Sequence, residues 1–225
     1  MTLATRPHLM ITTRQHGSSM FITLVALLLL TFAGLALLRS VDTSTLISGN
    51  LSFQEAAVAS ADAGTEAAIT WLSANATGST LFADVKPSGY YSTSSDNCDL
   101  TGNSLTGVTN DINWTGTDPG SGCAMDAKIL ASGSAGVATG YTVAYVINRI
   151  CNAPGDPNSA VAADGSTAMV CSSYVNPQTN DASTHVGASY GSGPLVGTPQ
   201  NYYRITTRVS GPRNTVRFVQ AFVVL

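Results

Sequence analysis

The residues of this chain that could support chemistry are few, and they fall into four groups. At Arg14-Gln15-His16-Gly17-Ser18 a short basic leader and a glycine stand just before the apolar run Met20 to Leu38. A glycine lets a protease approach the backbone closely, and a basic flank stays on the cytoplasmic side, so this junction reads as a processing site at a membrane face. The second group is four cysteines, Cys98, Cys123, Cys151 and Cys171, all far downstream of the apolar run. An even count in a translocated domain points to disulfides. Of the three connectivities that four cysteines allow, the sequence-local one, Cys98–Cys123 with Cys151–Cys171, is favoured. No C-x-x-C pair and no zinc-finger spacing of cysteine and histidine occurs. Third, Gly187-Ala188-Ser189-Tyr190-Gly191 fits G-x-S-x-G, with His185 close by. A nucleophile elbow needs a strand before it, a helix after it and a histidine later in the chain. Here the flanks are Gly/Ser-rich, no histidine follows Ser189, and His8 and His16 belong to the leader, so the match reads as chance. Fourth, Asp96, Asp99, Asp111, Asp118 and Asp126 lack the spacing and terminal glutamate of an EF-hand and read as solvated loop residues. With no H-E-x-x-H, P-loop or G-x-G-x-x-G, neither an enzyme, a cofactor nor a metal is expected.

The elements that position these groups begin with a membrane segment. Nineteen residues from Met20 to Leu38, with no charge among them, span about 29 Å as a helix, roughly the hydrocarbon thickness of a bilayer. No small-x-small cleavage site stands just after Leu38: Gly34-Leu35-Ala36 lies inside the run and Ala57-Val58-Ala59 well beyond it, so a cleaved secretory signal is not expected. The helical pattern continues past the membrane edge. Residues 40–72 contain no proline, and Phe53, Ala57, Ser60, Gly64, Ala68 and Trp71 recur in steps of three and four. Glu55, Asp62 and Glu66 lie mostly off that stripe, and the helix is expected to end near Ser73–Asn75, with Gly34 and Gly49 as weak points. Four segments result: a leader over 1–17, a membrane or fibre-core helix over 18–39, an amphipathic continuation over 40–75 and a globular domain over 76–225.

In that domain, 76–122 is loop-rich, Ala124 to Leu130 is a first strand, and Tyr141, Val143, Tyr145 and Ile147 share one face of a second. A Gly/Ser/Asn-rich stretch over 152–200 precedes two alternating strands joined at Gly211-Pro212-Arg213-Asn214. In the last strand Val216, Phe218, Gln220, Phe222 and Val224 share a face, with Arg208 and Arg217 expected on the opposite one. The layout is α+β: the long helix packed on an antiparallel sheet of about four strands, one face covering Phe53 to Trp71 and the other exposed. The arginines there read as solvated or edge-protecting. The formal net charge is −3, and without residues 1–17 the chain keeps eight basic against thirteen acidic side chains. That balance argues against a nucleic-acid partner.

Several stretches together resemble the type IV pilin superfamily, and within it the PilX-type minor pilins. They are Arg14-Gln15-His16-Gly17, Ile47-Ser48-Gly49-Asn50, residues Asp62 to Leu72, Tyr202-Tyr203-Arg204-Ile205-Thr206 and Gly211-Pro212-Arg213-Asn214-Thr215. The resemblance covers the first 75 residues and the last 25; the middle 125 match nothing recognisable. It implies the pilin fold, cleavage by a prepilin peptidase between Gly17 and Ser18, and N-methylation of Ser18. It also implies residence in the inner membrane followed by assembly into a surface pilus, with a periplasmic or extracellular domain. Implied partners are other minor pilins, the major pilin and a PilY-type tip adhesin. In most pilins the fifth mature residue is a glutamate that is thought to neutralise the amine of a neighbouring subunit; here it is Ile22. A subunit at the tip has no amine ahead of it to neutralise, and a carboxylate there would be buried unpaired at a cost of several kcal/mol. The expected role is therefore a tip or priming subunit. A tip pseudopilin of a type II secretion system is the alternative, and a membrane-anchored surface binding protein is the reading from another class.

Overall fold

The computed structural model describes residues 18–101, 110–116, 123–131, 133–175 and 199–225. Gly17 and the rest of the leader, Asp118, His185 and Ser189 lie outside the described residues.

One helix, α1 (Ser18–Asn75), opens the structure. The chain divides into two units, residues 1–50 and 51–225. In the first, every large apolar side chain from Met20 to Ile47 is exposed. The hydroxyls of this stretch turn inward on the backbone: Thr23 donates to Met20 O (2.9 Å), Thr31 to Leu28 O (2.8 Å) and Thr43 to Arg39 O (2.9 Å). Such back-bonding satisfies a hydroxyl within its own helix, which is what a segment surrounded by hydrocarbon requires.

In the second unit, α1 lies on a sheet of six strands: β1 (Tyr90–Tyr91), β2 (Lys128–Ile129), β3 (Thr142–Arg149), β4 (Ser173–Val175), β5 (Pro199–Gly211) and β6 (Thr215–Val224). β3 and β5 form its centre, antiparallel from Thr142↔Ser210 to Arg149↔Tyr203. β6 extends the sheet beyond β5, β4 pairs with the start of β5, and β2 pairs with β3. β1 runs parallel to β3, so the sheet is mixed. Both differences from the expected four antiparallel strands lie in β1, β2 and β4, which are two or three residues long, too short to print a period-two pattern. Ala124 to Leu130 supplies only the two strand residues of β2.

The small residues of α1 set the helix–sheet distance. Ala57 and Ala61 pack with Val143 and Val209, and Ala68 and Leu72 with Tyr90, Tyr145, Ile147, Tyr203 and Ile205. Fully burying a side chain such as Leu72 or Ile147 contributes about 1.5–3 kcal/mol. Polar ties fix the register. Ser60 Oγ accepts from Ala138 N (3.0 Å), and Tyr141 Oη donates to Phe53 O (3.0 Å). At the β5–β6 turn, Arg213 and Asn214 adopt positive φ and the Arg213 guanidinium sits 5.1 Å above the Phe53 ring.

The far face of the sheet is not exposed as expected. Leu100, Ile112, Cys123 and Met125 pack on Tyr91 and Val146, forming a second core over that face. The Cys98–Cys123 bridge links two of the segments that cover this face, and β3 is buried from Val143 to Arg149. The apolar set of β6 is also placed differently. Arg208 pairs with Phe218 and Val209 with Arg217, and directly opposed residues share a face. Arg208 therefore lies on the side of Val216, Phe218 and Phe222, away from α1, while Arg217 lies on the helix side.

Candidate functional site

The first feature able to carry function is the exposed apolar stretch of α1. Its apolar window has a mean hydropathy of 2.7, and the helix is long and apolar enough to cross a membrane. Ile22 sits within it, 61 % exposed, and carries no charge into that surface. Gly34 has open space where a Cβ would stand, which admits close approach of another helix there.

The second feature is the pair of disulfides. Cys98 is bonded to Cys123 (Cα–Cα 5.4 Å) and Cys151 to Cys171 (Cα–Cα 4.1 Å), the two sequence-local pairs. Each closes a loop of 20–25 residues, a constraint of about 3 kcal/mol on the unfolded chain. Two bridges and no free cysteine suit an oxidising compartment.

The third is a buried arginine that sequence reasoning missed. Arg149, at the end of β3, is fully buried. Its Nε donates to Ser92 O (3.1 Å), Nη1 to Leu81 O (3.0 Å), and Nη2 to Ala153 O (3.4 Å) and Gly155 O (2.9 Å). These carbonyls belong to three separate loops, which the guanidinium ties to the sheet. The only signal in the sequence is a charged residue ending an otherwise apolar strand. Neighbouring tyrosines respond to the same burial: desolvation pushes Tyr90 and Tyr203 up, partly offset by Arg149, and Tyr91 is pushed up to about 12, first by burial.

The fourth is the outer face of β5 and β6. Arg208, Trp114, Phe218 and Ile112 line a cavity of about 300 Å³ in which Trp114 and Phe218 meet edge to face, centroids 5.7 Å apart. Further along, Arg204 and Phe222 border a second depression beside the Cys151–Cys171 bridge. Burial pushes both guanidinium groups down, Arg204 being partly restored by Asp96.

Two of these aspartates act as loop acceptors. Asp99 Oδ1 receives Thr101 N and Oγ1, and Asp126 Oδ1 receives Asn113 Nδ2. Asp164 is held below the usual carboxylate range by Thr167 and Ser166, first through the Thr167 hydroxyl. Among the described residues no three His, Cys, Asp or Glu side chains converge on a possible metal position. The G-x-S-x-G stretch and all three histidines lie outside the described residues.

These elements define a class: an α+β fold in which a long apolar N-terminal helix packs by its later part on a mixed sheet, the layout of a type IV pilin. Comparison of the chain with protein-family models, with curated proteins and with solved structures gives no match.

Proposed function

We propose that this chain is a minor pilin of the PilX type, a structural subunit of a type IV pilus and not an enzyme. The observation that carries the reading is the division of labour along α1. From Met20 to Ile47 its large apolar side chains are all exposed, whereas Ala57, Ala61, Ala68 and Leu72 are fully buried against the sheet. A helix exposed and apolar at one end needs lipid or other helices around it, and a subunit that moves from bilayer to fibre meets both. Prepilin peptidase would act between Gly17 and Ser18, and Ser18 would then be N-methylated. The test is the mass of the native protein's N-terminus. The expected form begins at Ser18 and carries one extra methyl group; an intact Met1, or a cut after residue 33 or beyond, would overturn the reading.

Ile22 supports a place at the tip, in a priming complex with other minor pilins and a PilY-type adhesin above the major pilin. Burying a carboxylate at this position with no amine to face costs several kcal/mol, and isoleucine avoids that. Gold-labelled antibody against the globular domain is expected at the ends of sheared pili; labelling spread evenly along the shafts would exclude the tip. Secretin-system genes beside this one would instead favour the type II pseudopilin.

A further inference from the structure

We infer that the outer edge of β6 is a docking edge for an extended acidic segment of another protein, which adds to the sheet as a further strand. Asn201 and Leu225 exchange both backbone hydrogen bonds (2.8 and 3.2 Å), which sets the phase of the β5–β6 ladder. Thr215, Arg217, Val219, Ala221 and Val223 therefore direct their N–H and C=O groups at β5. Val216, Phe218, Gln220, Phe222 and Val224 direct theirs outward, and among the described residues no strand pairs with them. Free edges are usually blunted by proline, charged side chains, a bulge or shortness. β6 has a single charge, Arg217, on the helix side: its ten residues, without proline or lysine, pair with β5 in unbroken register, and Phe222 is 62 % exposed. An edge left so open invites β-augmentation.

The charge of the occupant follows from β5. Arg208 stands opposite Phe218 and Arg204 opposite Phe222, on the same face, about 13 Å apart along the strand. Arg204 Nη2 donates to Ser94 O (2.7 Å), but its buried Nε has no acceptor, and Arg208 makes no hydrogen bond or ion pair among the described residues. A strand added beyond β6 lies about 10 Å from β5, a gap that an arginine reaching across β6 closes with a facing carboxylate. The segment that fits alternates apolar residues with two carboxylates four positions apart. A second copy of this chain fits poorly, because pairing β6 with β6 would gather the Arg204 and Arg208 of both copies. The inference rests on the sheet alone and holds whether or not the chain enters a fibre.

The probe is a nine-residue peptide of alternating valine and threonine with glutamates at its third and seventh positions, and a lysine-substituted control. Binding is followed by fluorescence anisotropy on the full chain in detergent micelles. Saturable binding of the acidic peptide alone is expected. Gln220→Pro removes one outward N–H and leaves the β5 ladder intact, so it should abolish binding while the circular dichroism is unchanged. Arg208→Glu, which breaks no hydrogen bond or ion pair among the described residues, should weaken binding about tenfold. Equal binding of the lysine peptide, no saturable binding to either, or undiminished binding by both folded variants would overturn the inference. So would concentration-dependent dimerisation that Gln220→Pro abolishes, since a second copy would then be the occupant.

Discussion

Arg149→Met is expected to lower the unfolding free energy by about 3–5 kcal/mol. Methionine keeps much of the volume, so the loss isolates the hydrogen bonds. The carbonyls of Ser92, Ala153 and Gly155 would lose the donors the guanidinium provides, whereas Leu81 O keeps the Tyr90 hydroxyl at 2.7 Å. A buried carbonyl left without a partner costs about 1–3 kcal/mol. Part of this is returned, because a charge bonded only to neutral oxygens is itself costly to bury. The estimate is therefore below the sum over three carbonyls. Arg149→Lys should recover about half, since one ammonium cannot span positions that a planar fork reaches. Urea titration of the two variants, with both disulfides verified, measures this. If the methionine variant stays within about 1 kcal/mol of the parent, the arginine is not what ties the three loops to the sheet.

The second large effect is expected at Gly64, where helix propensity and packing oppose each other. Propensity alone makes Gly→Ala within a helix a gain of about 0.5–1 kcal/mol. At Gly64 a Cβ would stand 2.6 Å from both Thr207 Cγ2 and Val143 Cγ1. Both contacting groups belong to stiff β-branched side chains on the two central strands, so relief requires the helix to lift from the sheet. Overpacking of this kind costs about 1–3 kcal/mol or more, so Gly64→Ala should destabilise by about 1–2 kcal/mol and Gly64→Val by more than about 3 kcal/mol. Gly49→Ala supplies the contrast, because nothing lies within 4 Å of its would-be Cβ and propensity acts alone there. Thermal unfolding should thus show opposite signs for the same substitution at two positions of one helix. Thr207→Ser removes one of the two clashing methyl groups and should partly rescue Gly64→Ala. A stabilised Gly64→Ala would mean the helix–sheet spacing is looser than these contacts imply.

The legible parts of the fold are those whose signal is periodic. The stripe from Phe53 to Trp71 marked the packed face of α1, and the alternation from Tyr141 and from Tyr203 marked β3 and β5. Gly211-Pro212-Arg213-Asn214 marked the turn into β6. What escaped has a physical cause in each case. β1, β2 and β4 are held by neighbours and not by a pattern of their own, and β1 gains its place by pairing parallel to β3 at Tyr90↔Ile147 and Tyr91↔Asn148. The second core over the sheet's far face draws on Leu100, Ile112 and Met125, isolated apolar residues in a polar stretch.

By itself the sequence determined the apolar run, the helix behind it, the α+β class and a short list of possible cysteine pairs. Apolar runs and periods of 3.6 and 2 depend only on neighbours along the chain. The tertiary structure alone decided which side of β6 faces α1. A strand whose two faces are both partly apolar carries no local mark of which is the inner one; pairing with β5 sets it, through Val209↔Arg217 and Arg208↔Phe218. It also decided that Arg149 is an internal tie and that Arg204 and Arg208 share an outer face beside an open edge. Those roles depend chiefly on contacts across 57 to 110 residues of chain, and no spacing rule reaches across such separations.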